Sequence, residues 1–99
     1  MAIQLDLQQS KYGIPFSAAY FRIAIAHVFR SGANPNYFCV RLHVAGYATK
    51  PESEIIADID TRDYIPTLDE VEAMQGDNFL AKCYAWVMAQ PDMAGSTAV

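Results

Sequence analysis

Apolar and polar residues alternate through most of the first half of this chain, with the two-residue period of a β-strand. Ile3, Leu5 and Leu7 point one way and Gln4 and Asp6 the other, which predicts a half-buried strand over residues 2–7. Two longer runs follow, 20–29 and 37–44, both rich in β-branched and aromatic residues. Between them stand Ser31, Gly32, Ala33, Asn34, Pro35 and Asn36, a set dense in turn formers. The pattern predicts a long β-hairpin. Setting Phe29 opposite Phe38 places Phe21, Ile23, Ile25, His27 and Phe29 on one face with Gly46, Val44, Leu42, Val40 and Phe38. Tyr20, Arg22, Ala24, Ala26 and Val28 then share the other face with Tyr47, Ala45, His43, Arg41 and Cys39. A slip of one residue would mix the two sets.

The second half changes period. Residues 54–65 still alternate, with Ile55, Ala57, Ile59, Thr61 and Ile65 against Asp58, Asp60, Arg62 and Tyr64. This predicts a third long strand whose charged face is wet, ended by Pro66. Thr67 and Glu70 have capping-box spacing, so a short helix is expected over 68–75, with Gly76 as its left-handed stop. Asp77 can cap a second helix over 78–90, which Pro91 ends. Phe79, Leu80, Cys83, Tyr84 and Val87 form its apolar stripe, and Ala81, Ala85 and Ala89 a smooth opposite side. The tail, 92–99, is expected to be disordered or laid onto a neighbour. The fold class that follows is α+β, a single domain over residues 1–99. It is an antiparallel sheet of three to four strands built on the long hairpin, with the C-terminal helix packed on one face.

Composition turns this picture towards assembly. Hydrophobic residues make up 53% of 99, more than a small soluble monomer usually carries, and a chain this short exposes much of its surface. Long two-stranded ribbons are marginal alone, and open sheet edges aggregate unless covered. The net charge of −4 is also unevenly spread: Asp6 is the lone acid in residues 1–50 beside five bases, while residues 51–99 hold ten acids and two bases. Such polarity lets halves or copies attract. An acidic balance disfavours general nucleic-acid binding.

Candidate chemistry is sparse. The 58–63 stretch, Asp-Ile-Asp-Thr-Arg-Asp, fails as a phosphotransferase motif, which needs Thr at 62. It fails as a calcium loop too, with Arg62 and Asp63 where an oxygen ligand and a glycine belong. In the expected register His27 points to the apolar face as a hydrogen-bonded core residue, and His43 and Cys39 point to the other, so with Cys83 they assemble no metal site. Cys39 and Cys83 read as buried thiols of a reducing compartment. There is no nucleophile elbow and no glycine-rich phosphate loop. The C-terminal Thr97-Ala98-Val99 matches only the loose carboxylate pattern of PDZ ligands. No enzyme activity, cofactor, metal or small-molecule substrate is expected. The patch that stands out is Tyr20, Arg22, Arg41, His43 and Tyr47. These residue types are enriched at protein interfaces, and only secondarily stack single-stranded nucleic acid.

Two segments carry a resemblance: Phe16-Ser17-Ala18-Ala19-Tyr20-Phe21-Arg22-Ile23, and the stretch from Ala81-Lys82-Cys83-Tyr84-Ala85-Trp86 to Pro91-Asp92-Met93-Ala94-Gly95. With the AIQLDL strand before them, they resemble small structural proteins of tailed bacteriophages and prophages. The resemblance covers most of the chain and holds no catalytic residue. It implies a virion or virion-assembly component of the tail, fibre or baseplate, made in the bacterial cytoplasm and partnered by its own copies and other phage proteins. The alternative is a small phage-encoded regulator of a host protein. Neither a signal peptide nor an eighteen-residue apolar run is present, so no membrane partner is expected.

Overall fold

One strand outruns everything packed around it. In the computed structural model, which describes residues 1–30, 32, 38–50, 58–74 and 76–99, strand β2 runs from Phe16–Arg30. It lies between the shorter β1 (Ile3–Leu7) and β3 (Phe38–Tyr47). A fourth strand, β4 (Asp60–Tyr64), pairs with β3, and a two-residue β5 (Thr97–Ala98) pairs with β1. The five-stranded sheet has the order β4-β3-β2-β1-β5, all antiparallel. The α+β class and the central hairpin stand as expected, with one strand more than the pattern suggested.

Two helices cover one face. Helix α1 (Leu68–Met74) starts with the expected capping box: the Glu70 amide donates to Thr67 Oγ1 at 3.3 Å and the Thr67 amide to Glu70 Oε1 at 3.0 Å. Gly76 follows at φ 104°, the left-handed geometry that favours glycine. Helix α2 (Phe79–Met88) is shorter than expected, and Asp77 does not cap it: Asn78 holds the N-cap position in a left-handed conformation, without a side-chain cap bond. Val71, Met74, Cys83, Tyr84 and Val87 pack onto Ile3, Leu5, Phe21, Leu42 and Val44. Burial raises the pKa of both the Cys83 thiol and the Tyr84 phenol.

The tail is a correction. A 3₁₀ turn (Pro91–Met93) buries Met93 completely, and β5 then zips residues 97–98 onto β1 of its own sheet. The charged face of β4 is a second correction. Arg62 lies opposite Val44 and Tyr64 opposite Leu42, so that face looks inward. Arg62 sets its guanidinium 5.3 Å from the Phe21 ring centre, pairs with Asp60 at 3.3 Å and donates to the Asp92 carbonyl at 2.6 Å. A long aliphatic stem lets it cover apolar surface while its head is paired rather than left to water. Ile65, expected inside, is exposed. The 54–57 part of the expected strand and most of the hairpin turn lie outside the described residues.

The hairpin register carries the third correction. From Tyr20↔Tyr47 to Ile23↔Val44 it is the register read from the pattern, but an irregularity between Ile23 and Ile25 shifts it by one. Beyond that point Ala26 faces Leu42, Val28 faces Val40, and Phe29 faces Cys39 rather than Phe38. Ile25, His27 and Phe29 therefore leave the helix-covered face for the open one. His27 is exposed, not a core residue, and its ring lies 5.8 Å from that of Phe29. At the step just before the shift, the Ile23 amide donates to the Tyr84 hydroxyl at 2.9 Å.

Candidate interaction surface

The covering elements stop short of the hairpin's far end. β1 pairs with β2 only from Phe16 to Phe21, and β4 pairs with β3 only from Leu42 to Gly46. A ten-residue helix is about 15 Å long, whereas a fifteen-residue strand, rising about 3.3 Å per residue, can run the whole length of the molecule. The far end of β2 and β3 thus projects as a two-stranded arm, and the molecule measures 43 × 24 × 22 Å. On this arm Ile25 is 58% exposed, Val28 53% and Phe38 55%. These are large apolar side chains with water on them. Val40, across from Val28, is still buried, so the apolar core runs out along the arm rather than ending at a polar border.

The five residues singled out by sequence lie on the open face but fall into two groups. Tyr20 stands opposite Tyr47, and the Arg22 guanidinium lies 5.2 Å from the Tyr47 ring centre. Tyr47 is buried, while Tyr20 and Arg22 are partly so. Arg41 and His43 belong to the second group, centred on Asp63 of β4. His43 Nδ1 is 2.8 Å from Asp63 Oδ1, and Arg41 Nη2 is 3.4 Å from Asp63 Oδ2. The hydrogen bond with His43, and then the nearby Arg41, hold the Asp63 carboxyl below the usual carboxylate range. Ile25, His27, Arg41, His43 and Asp63 line an open depression of about 270 Å³.

The register shift brings His27 to the same face as His43 and Cys39, which the expected register had kept apart. Among the described residues, however, no cluster of three or more His, Cys, Asp or Glu is placed to hold a metal ion. Cys39 is partly buried and Cys83 fully, and both are free thiols. No described helix is long and apolar enough to cross a membrane.

Sequence reasoning missed Ile25 and Phe38 as surface residues, because the expected register put both on the helix-covered face. A cue existed in the first strand alone: residues 2–7 are shorter than the hairpin runs 20–29 and 37–44 that they would have to cover. No family model, curated protein or solved structure matches the chain.

Proposed function

We propose that this protein is a non-enzymatic structural subunit that acts by assembly, its projecting β-arm serving as the contact with neighbouring chains. The resemblance to tailed-phage proteins supports a place in a phage particle, as a tail, fibre or baseplate component. The observation that carries the reading is the arm itself, with Ile25, Val28 and Phe38 exposed on a ribbon that the described core does not cover. Large apolar side chains grouped on a protruding element mark association surfaces.

Size-exclusion chromatography with light scattering tests this. The wild-type chain is expected to exceed the monomer mass in a concentration-dependent way. Ile25→Lys with Val28→Lys is expected to return it to a monomer with unchanged circular dichroism. A wild-type chain that stays monomeric at high concentration overturns the reading.

A further inference from the structure

The free edge of β2 points to a specific partner. β1 leaves β2 after Phe21, and the Ile23 amide is held by the Tyr84 hydroxyl. From residue 24 to residue 30 no strand lies on the side of β2 away from β3, among the described residues. Those seven residues are Ala, Ile, Ala, His, Val, Phe and Arg. Natural sheets blunt such an edge with Lys, Pro, inward charges, or by keeping it short. The other two edges are protected in this way. β4 is five residues long, carries Asp60, Arg62 and Asp63, and is followed by Pro66. β5 has two residues. Apart from the irregularity between Ile23 and Ile25 at its start, the β2 edge has none of these devices before Arg30.

Building on the assembly reading above, we infer that this edge pairs with the same edge of a second copy, antiparallel, about a two-fold axis through His27. An isologous contact requires that residue i meet j and j meet i. With the axis at His27, Ile25 meets Phe29 of the second copy on the open face, a β-branched and aromatic cross-strand pair formed twice. Ala26 meets Val28 on the helix side, small against large, and Ala24 meets Arg30. The two Arg30 side chains lie at opposite ends of the pairing, about 20 Å apart at 3.4 Å per residue, well beyond the screening length. An axis at Ala26 sets Arg22 against Arg30. One at Ile25 draws in the Ile23 amide that Tyr84 already occupies, and one at Val28 shortens the pairing to residues 26–30.

Cysteine cross-linking in a Cys39→Ser background reads the register directly. Directly opposed α-carbons in an antiparallel pair lie about 4.5–5.5 Å apart, within reach of a disulfide. His27→Cys is expected to give a covalent dimer on mild oxidation. Ile25→Cys and Phe29→Cys are each expected to stay uncross-linked alone but to give a covalent heterodimer when mixed. Amide protection over residues 24–30 is expected to rise with protein concentration and fall on dilution. A self-linking Ala26→Cys, or an oligomer in which His27→Cys fails to link, overturns this pairing while leaving assembly itself standing. A monomer at all concentrations overturns both.

Discussion

The two ends of the hairpin share one pair of strands and meet different surroundings. At the base, Phe21 is fully buried between Gly46 across the strand pair, Arg62 above and the helix layer beyond. On the arm, Ile25 and Val28 are as apolar as Ile23 but face water. The difference lies in what reaches them: β1, β4 and α2 are too short to follow β2 to its end. Apolar content alone therefore does not locate this core. Its boundary is set by the reach of the covering elements, and the register shift at residues 23–25 falls close to where that reach ends.

Truncation should separate the two ends most sharply. Phe21→Ala is expected to cost about 3–5 kcal/mol, because a fully buried aromatic leaves a cavity under Arg62. Val28→Ala is expected to change monomer stability by no more than about 0.5 kcal/mol, as surface substitutions do. Urea denaturation at low protein concentration measures both. Near-equal losses would mean that the arm is covered in solution.

The glycine opposite Phe21 gives the next largest effect. A Cβ on Gly46 would sit 2.5 Å from Phe21 Cε1, and the ring has no free side to move to. Gly46→Ala is therefore expected to cost about 1–3 kcal/mol as an overpacking strain. A stabilised variant would show that the ring slides freely and that the base is less closely packed than the arm comparison requires.

How much of this was legible follows the range of the interactions. The capping box of Thr67 and Glu70, the stop at Gly76 and the strand from Ile3 to Leu7 are local, and each stands where the pattern put it. The register shift is not local. Residues 23–25 read Ile-Ala-Ile, with no glycine or turn former to announce a bulge, and the hydroxyl beside it arrives from Tyr84, 61 residues away. Arg62 misled for a related reason: its charge argued for water, and its partners Asp60, Asp92 and Phe21 come from three separate elements. The interface residues Tyr20, Arg22, Arg41, His43 and Tyr47 do share the open face, but Tyr47 is spent under Arg22 and His43 on Asp63. The exposure of Ile25 was hidden by an error of one residue in register, and that of Phe38 by covering elements shorter than the pattern suggested.

Tyr84→Phe sharpens the comparison at the border itself. The substitution keeps the ring in the core and removes the acceptor of the Ile23 amide. The loss is expected at about 1 kcal/mol, with faster hydrogen exchange at Ile23 while the amides around Phe21 remain protected. Exchange that accelerates equally along the whole strand would mean that arm and base open as one unit.

The smallest loss expected within the base belongs to its outer wall and has a pH signature. Tyr64 donates its hydroxyl to Asp92 Oδ2 at 2.8 Å and meets Trp86 edge-on at 5.9 Å, while Trp86 in turn donates to Glu70. Burial, and then the bond to Asp92, push the Tyr64 phenol up to about 12, above the ordinary value near 10. Between those two values the folded chain holds a proton that the unfolded chain has released, so stability falls as pH rises. The contribution is fully present below pH 10 and is lost on approach to 12. Tyr64→Phe gives up the bond to an exposed carboxylate, so the expected cost at neutral pH is at the lower end of about 0.5–1.5 kcal/mol. The variant should also lose less stability than wild type between pH 10 and 12, as chemical denaturation across that window would show. Because this linkage ties β4 to the 3₁₀ turn and leaves the arm untouched, it should leave the oligomeric state unchanged. A parallel loss of assembly would tie the arm to the far side of the sheet.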